Sequence, residues 1–163
     1  MGLGSLLALV LCQELVPITP ALDHRDQWGL IATLGVTLPS VIRTNDDYNP
    51  SLIPTLEAGV SRAIGDLSEL QLRVRVPDDP RLRPWVLAGY RGYSTEGPFT
   101  TTYGVDAAAV TGHDWGFGAR VSAGLQWDPV RWGGLCLILG FAATDGASLM
   151  LTFDGLIGGQ LRY

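Results

Sequence analysis

The residues that could do chemistry in this sequence are isolated charges at otherwise small or polar positions. They occur singly among Gly, Ser and Thr, within segments where apolar and polar residues alternate. Because buried charges are costly unless they are paired, their mixed signs predict either a network of ion pairs or the lining of a water-filled passage. The charges of this kind are Glu57, Arg73, Arg75, Asp106, Arg120, Asp154 and Arg162.

Enzymatic chemistry has few candidate residues. Acyl transfer requires a nucleophile, a base and an acidic group that orients the base, and the only imidazoles are His24 and His113. His24 precedes the first predicted strand, and His113 lies in a turn, where Asp114 follows it. A histidine in a surface turn is the better interpretation of His113, so we predict no catalytic residues.

Metal, cofactor and nucleic-acid sites are not predicted either. The group Asn45, Asp46, Asp47 and Asn49 lacks the glycine and the final glutamate of a calcium-binding hand loop, and is interpreted as a solvated loop. The chain has 16 acidic and 11 basic residues, a net charge of −5. It therefore lacks the basic excess of a nucleic-acid-binding protein.

The elements that would position the isolated charges are β-strands. Of the 163 residues 47% are hydrophobic. Beyond the first 11 residues, however, no apolar stretch reaches the roughly 18 to 20 residues of a membrane-spanning helix. Apolar and polar residues instead alternate with a period of two, most strictly in Leu70 to Val76 and Phe117 to Trp127. The predicted strands are 28–38, 52–60, 70–76, 85–93, 101–109, 117–127, 135–143 and 149–163.

Turn segments separate these eight strands, and all but the first are short. Gly, Pro, Asn and Asp cluster between the strands, for example at Gly65-Asp66 and Asp128-Pro129. Short connections join neighbouring antiparallel strands. The sequence therefore predicts an all-β fold in which eight antiparallel strands follow one another up and down, as a meander, and close into a barrel.

The apolar face of these strands could point inwards or outwards. A soluble lipocalin-like calyx that binds a small apolar ligand would have it inside, whereas a transmembrane barrel would have it outside. The membrane barrel is favoured, because small residues and sparse charges suit a narrow interior and strands of about 9 to 11 residues match a tilted span. Aromatic residues near strand ends are typical of membrane interfaces; they are Trp28, Trp85, Tyr103, Trp115, Phe117, Trp127, Trp132 and Tyr163.

The last strand carries the most specific pattern. The chain ends on Tyr163, with Leu161 on the same face and Gly158 five positions before the end. This pattern resembles the C-terminal strand of bacterial outer-membrane barrels, and it implies recognition by the barrel-insertion machinery. With its eight strands, the chain is similar to the small barrels typified by the outer membrane protein A barrel domain.

The resemblance implies a monomeric integral protein of the outer membrane of a Gram-negative bacterium, with outer-membrane lipid as its surroundings. The expected role is structural or one of surface interaction, and the lumen should be filled rather than open, since eight strands leave room only for side chains. With both termini periplasmic, the longer loops would face outwards. A lipid-modifying hydrolase stays open as an alternative, with His113 as its base.

The first 21 residues are predicted to be a signal peptide. An apolar run of suitable length is followed by Thr19-Pro20-Ala21, which offers small residues before a cleavage site, although no basic residue precedes the run. Residues 22–163 would then form a single barrel domain. Cleavage would remove Cys12 and leave Cys136 without a disulfide partner.

Overall fold

Each of the eight alternating segments is a β-strand in the computed structural model, which confirms the predicted number and order of strands. The structure describes residues 27–41, 51–79, 82–95, 97–111, 115–130, 132–145 and 149–163; the predicted signal peptide, residues 1–21, lies outside them. The strands are β1 (Trp28–Val41), β2 (Ile53–Gly65), β3 (Ser68–Pro77), β4 (Trp85–Tyr93), β5 (Phe99–Val110), β6 (Gly116–Val130), β7 (Gly133–Asp145) and β8 (Met150–Arg162).

The sheet closes on itself because β1 pairs antiparallel with both β2 and β8. In register, Leu30 of β1 lies between Val60 of β2 and Leu161 of β8. Each of the strands β2 to β7 pairs with the strand before it and the strand after it in the chain, which is the predicted up-and-down order. No helix among the described residues is long and apolar enough to span a bilayer.

The two faces of the strands differ sharply in chemistry, as the alternation predicts. Leu34, Phe117 and Leu139 are 63%, 65% and 62% exposed on the outside of the barrel. Threonine, glutamine and charged side chains point inwards and are buried. This orientation is the reverse of a soluble calyx, whose large apolar side chains would fill the interior.

Trp85 is an exception to the predicted aromatic positions. Its side chain is only 2% exposed and points into the barrel, so its assignment to the outer surface was wrong. The side chain packs with Leu87, Ala108 and Ala142, and the small alanines leave the space that the indole fills. The other seven aromatic residues of the prediction are exposed on the outside.

The two ends of the barrel have connections of different length. At the end that carries both chain termini, here the terminal end, the strands are joined by residues 66–67, 94–98 and 131–132. At the opposite end, here the loop end, they are joined by residues 42–52, 78–84, 111–115 and 146–149. Outer-membrane barrels show the same asymmetry, with short periplasmic turns and longer extracellular loops.

Candidate functional site

Six of the seven isolated charges meet inside the barrel and form a closed ring of ion pairs, here called the charge ring. It consists of Glu57, Arg73, Arg75, Asp106, Arg120 and Asp154, which come from β2, β3, β5, β6 and β8. The pairs are Arg73 Nη1–Glu57 Oε1 at 2.5 Å, Arg73 Nη2–Asp106 Oδ1 at 2.5 Å, Arg75 Nη2–Glu57 Oε2 at 2.9 Å, Arg75 Nη1–Asp154 Oδ1 at 3.1 Å, Arg120 Nη1–Asp106 Oδ2 at 3.2 Å and Arg120 Nη2–Asp154 Oδ2 at 2.6 Å.

Strand register brings two of these pairs together directly. Glu57 lies opposite Arg75 on the neighbouring strand, and Asp106 lies opposite Arg120. Cross-strand partners of opposite charge are close enough to contact each other without further help from the fold. These two pairs are therefore consequences of alternation and register alone.

Two other pairs must reach across an intervening strand, and a glycine makes each crossing possible. The pair between Arg120 and Asp154 crosses β7 at Gly140, where a Cβ atom would lie 2.5 Å from Asp154 Oδ2 and 2.7 Å from Arg120 Nη2. The pair between Arg73 and Asp106 crosses β4 at Gly89, where a Cβ atom would overlap the Asp106 carboxylate. Any larger residue at these glycines would displace the ring.

Every charged group of the ring is paired with groups of opposite charge within the ring. Each guanidinium contacts two carboxylates and each carboxylate contacts two guanidiniums, so three positive and three negative charges alternate. Arginine suits this geometry because its planar fork can donate to two acceptors at once, which a lysine ammonium does less well. Glu57 and Arg120 are both 0% exposed, and ions buried to this degree are tolerated only when they are fully paired.

A buried apolar cluster lies on each side of the charge ring. On the loop side, Trp85 and Leu87 pack with two alanines, and the Trp85 ring centroid lies 5.4 Å from the Arg75 guanidinium. On the terminal side, Cys136, Ile138 and Leu156 form a second buried cluster. Buried threonine, serine and glutamine side chains occupy other inward positions beside these clusters, so packed side chains of both kinds fill the lumen, as in a plug.

Arg162, the seventh predicted charge, belongs to a separate polar cluster near the terminal end. Its Nη1 lies 2.9 Å from Asp128 Oδ1, and its Nη2 lies 3.1 Å from Gln160 Oε1. Gln160 Nε2 also donates to Glu69 Oε2 at 2.8 Å, and Arg91 Nη1 lies 3.7 Å from Glu69 Oε1. These contacts join the members of the cluster to one another, and none of them involves a member of the charge ring.

Glu69, Arg91 and Asp128 were missed as interior charges. Extending the strict alternation of Leu70 to Val76 by one residue would have placed Glu69 on the inner face. With these three residues, the described part of the chain buries five arginines and five carboxylates inside the barrel. The interior is therefore neutral, and the net charge of −5 of the chain arises elsewhere.

The remaining candidate residues of the sequence are not part of the structure as described. His24, the acidic group 45–49 and His113 lie outside the described residues. Within the described ranges, no group of three or more His, Cys, Asp or Glu could hold a metal ion. Cys136 is buried as a free thiol.

The residues of the C-terminal pattern lie on the strand that closes the barrel. Leu161 and Tyr163 are exposed on the outer surface, and Gly158 lies opposite Thr33 of β1. The backbones of Trp28 and Tyr163 exchange two hydrogen bonds, at 3.1 and 3.0 Å. The last residue of the chain is thus joined to the first strand.

The structure is similar to solved structures of outer-membrane and surface proteins. Neisserial surface protein A matches with a TM-score of 0.68 and 9% identity, over 83% of this chain and 97% of that one. The chain has the fold of a small outer-membrane β-barrel. The outer membrane protein OprG from Pseudomonas aeruginosa matches with a TM-score of 0.57 and 8% identity, over 85% and 96% of the two chains.

A further similar structure is Ail, the attachment invasion locus protein of Yersinia pestis. It matches with a TM-score of 0.54 and 10% identity, over 85% of this chain and 99% of that one. No protein-family model matches the sequence, and no curated protein matches it. The predicted location in the outer membrane of a Gram-negative bacterium agrees with the fold of these neighbours.

Breaking the charge ring at Arg120 should destabilise the barrel. Arg120→Met leaves Asp106 and Asp154 with one guanidinium each, and we expect a loss of about 3 to 5 kcal/mol in the free energy of unfolding. The double variant Arg120→Met/Asp154→Leu keeps two arginines and two carboxylates, so it should recover part of that loss. Urea unfolding in phospholipid vesicles, followed by tryptophan fluorescence, measures both.

Arg83→Met is the matched control, because Arg83 is exposed and lies outside the strands. It should change the free energy of unfolding by no more than about 0.5 kcal/mol. Equal stability of the Arg120 and Arg83 variants would show that the ring carries no net stabilisation.

Proposed function

We propose that this protein is a monomeric integral barrel of the Gram-negative outer membrane, without enzymatic activity and without an open pore. Its role is structural, or one of surface interaction through the connections at the loop end. The observation that carries this proposal is the neutral charge ring, whose side chains are buried and paired with one another in a packed interior. An interior filled by paired and packed side chains supports a lumen that is closed to ions and substrates.

The outer surface supports a bilayer as the surroundings. Residues such as Leu34 and Leu139, which are more than half exposed, form an apolar surface around the barrel. An apolar surface of this extent is unstable in water but matches hydrocarbon, where a closed sheet leaves no backbone group unpaired. The soluble calyx has no support from this distribution.

The asymmetry of the connections supports an outward-facing loop end. The longer connections include residues 42–52 and 78–84, which contain most of the acidic residues between strands. Two of the similar structures are named as a surface protein and as an attachment invasion locus protein. A surface role for this chain is consistent with those names.

The absence of enzymatic activity is part of the proposal, and it rests on the pairing of the interior charges with one another. Among the described residues, each carboxylate of the charge ring is already bound by two guanidiniums. None of the three is therefore placed to accept a proton from a substrate. A catalytic base is useful only where it can reach the proton of a substrate. No observation on the described residues favours a hydrolase.

The expected partners are lipid, through the apolar surface, and the barrel-insertion machinery, through Gly158, Leu161 and Tyr163. Exposure of Leu161 and Tyr163 on the outer surface supports their availability to an insertion partner before the barrel closes. Nucleic acid is not an expected partner, since the chain has a net charge of −5.

A reconstitution experiment tests the closed lumen. The purified protein, inserted into a planar lipid bilayer, should give no stepwise ionic current, because the side chains of the charge ring and its buried neighbours fill the lumen. Insertion is established in parallel by flotation with vesicles that resist carbonate extraction, and an open porin in the same bilayer provides the positive control. Stepwise currents that disappear on denaturing the protein would contradict the proposal.

Deletion of Tyr163 tests the insertion signal. Loss of the terminal aromatic residue should lower the amount of assembled barrel in the outer membrane several-fold, measured on gels as the heat-modifiable folded form. Trp132→Ala is the matched control, because Trp132 is an exposed aromatic residue at the same end of the barrel but not at the C-terminus. Unchanged assembly of the deletion variant would remove the proposed role of these residues.

A further inference from the structure

The outer surface of the barrel is not uniformly convex at the terminal end. A groove of about 610 Å³ runs over β6, β7, β8 and β1 there. Its floor is formed by Ala32 and Gly159, which are register partners, and its sides by Leu30, Leu135 and Trp132. The groove exists because small residues occupy outward positions that elsewhere carry leucine, valine or isoleucine.

The groove begins at the aromatic residues of the terminal end and stops towards the middle of the barrel. Trp132 borders it at the terminal end. Two residues further along each strand, the register partners Leu34 and Ile157 are bulky and exposed, and they end the groove. Interfacial tryptophans lie at the level of lipid headgroups. The groove therefore lies at the depth of the part of an acyl chain that is nearest to its headgroup.

An outward-facing cation lies beside this groove. Arg62 of β2 is the register partner of Trp28, and its guanidinium carbon lies 5.0 Å from the centroid of the Trp28 ring. Trp28 precedes Leu30 by two residues on the same face of β1, and Leu30 forms one side of the groove. A positive charge at headgroup depth is thus continuous with an apolar groove at acyl-chain depth.

We propose that this surface binds one phospholipid of the periplasmic leaflet, with an acyl chain in the groove and the phosphate in contact with Arg62. The inference rests on the proposed function, since the outer-membrane orientation makes the terminal end periplasmic. It goes beyond that function by assigning a single lipid to a defined position. Arginine is well suited to this contact because its guanidinium donates to a phosphate through more than one N–H.

The selectivity comes from shape and charge rather than from hydrophobicity. Within a bilayer the surrounding lipid tails are as apolar as leucine, so transfer of a chain into the groove gains no hydrophobic free energy. A chain that fills the groove gains dispersion contacts that no protein side chain provides there. The contact with Arg62 adds a preference for lipids that carry a phosphate.

Native mass spectrometry of the detergent-purified barrel tests this proposal, with phosphatidylglycerol as the probe and diacylglycerol of the same chains as the phosphate-free comparison. The wild type should bind one phosphatidylglycerol, more tightly than diacylglycerol. Ala32→Leu fills the groove and should abolish the binding, whereas Ala58→Leu should not. Ala58 is the matched control because it is the outward register partner of Ala32 on β2 and does not line the groove.

The charge is tested with Arg62→Gln. This variant should bind phosphatidylglycerol about tenfold more weakly, the size of one charge-assisted hydrogen bond, with no change for diacylglycerol. Arg83→Gln removes the same charge from an exposed position at the loop end and should bind like the wild type.

Three results would overturn the inference. They are equal binding by the Ala32 and Ala58 variants, equal binding of phosphatidylglycerol and diacylglycerol by the wild type, and tighter binding of lipid A than of phosphatidylglycerol at the groove. A wild-type protein that fails to insert into vesicles would instead refute the proposed function. The two failures are therefore distinguishable.

Discussion

Hydrocarbon offers no hydrogen-bond partner to a backbone N–H or C=O group, and the rest of this structure depends on that constraint. A sheet satisfies it only by closing, so β1 must pair with β8 as well as with β2. Closure with eight strands leaves an interior about as wide as the side chains that fill it. Inward positions are consequently restricted in volume, and charges placed there must balance.

The charge ring meets both restrictions at once. Three arginines and three carboxylates alternate, so that no charge is unpaired, and glycines on β4 and β7 provide the space in which Arg73 and Arg120 reach their partners. The ring members are buried, and the low effective dielectric of a buried site strengthens each ion pair. In the proposed function, the same features that stabilise the barrel also close it to ions, and they leave the outer surface and the loops as the places where function can lie.

Much of this arrangement could be predicted from the sequence, because a strand has a side-chain period of two and a closed barrel has a strict inside and outside. The strand order and the inward position of Glu57, for example, follow from alternation and short turns. The contact between Arg73 and Asp106 could not be predicted, since it depends on barrel geometry across β4. Trp85 was misplaced because β4 is apolar on both faces at the loop end, where the interior is filled by hydrophobic packing.

The claim on which the account depends is that the guanidiniums of the charge ring are paired and shielded from water. The direct measurement is the exchange of guanidinium protons with water, observed by NMR of the barrel in detergent micelles. The account predicts slow exchange for Arg73, Arg75 and Arg120 and fast exchange for Arg83, which is exposed. Fast exchange of all four arginines would contradict it, because water would then reach the centre of the barrel.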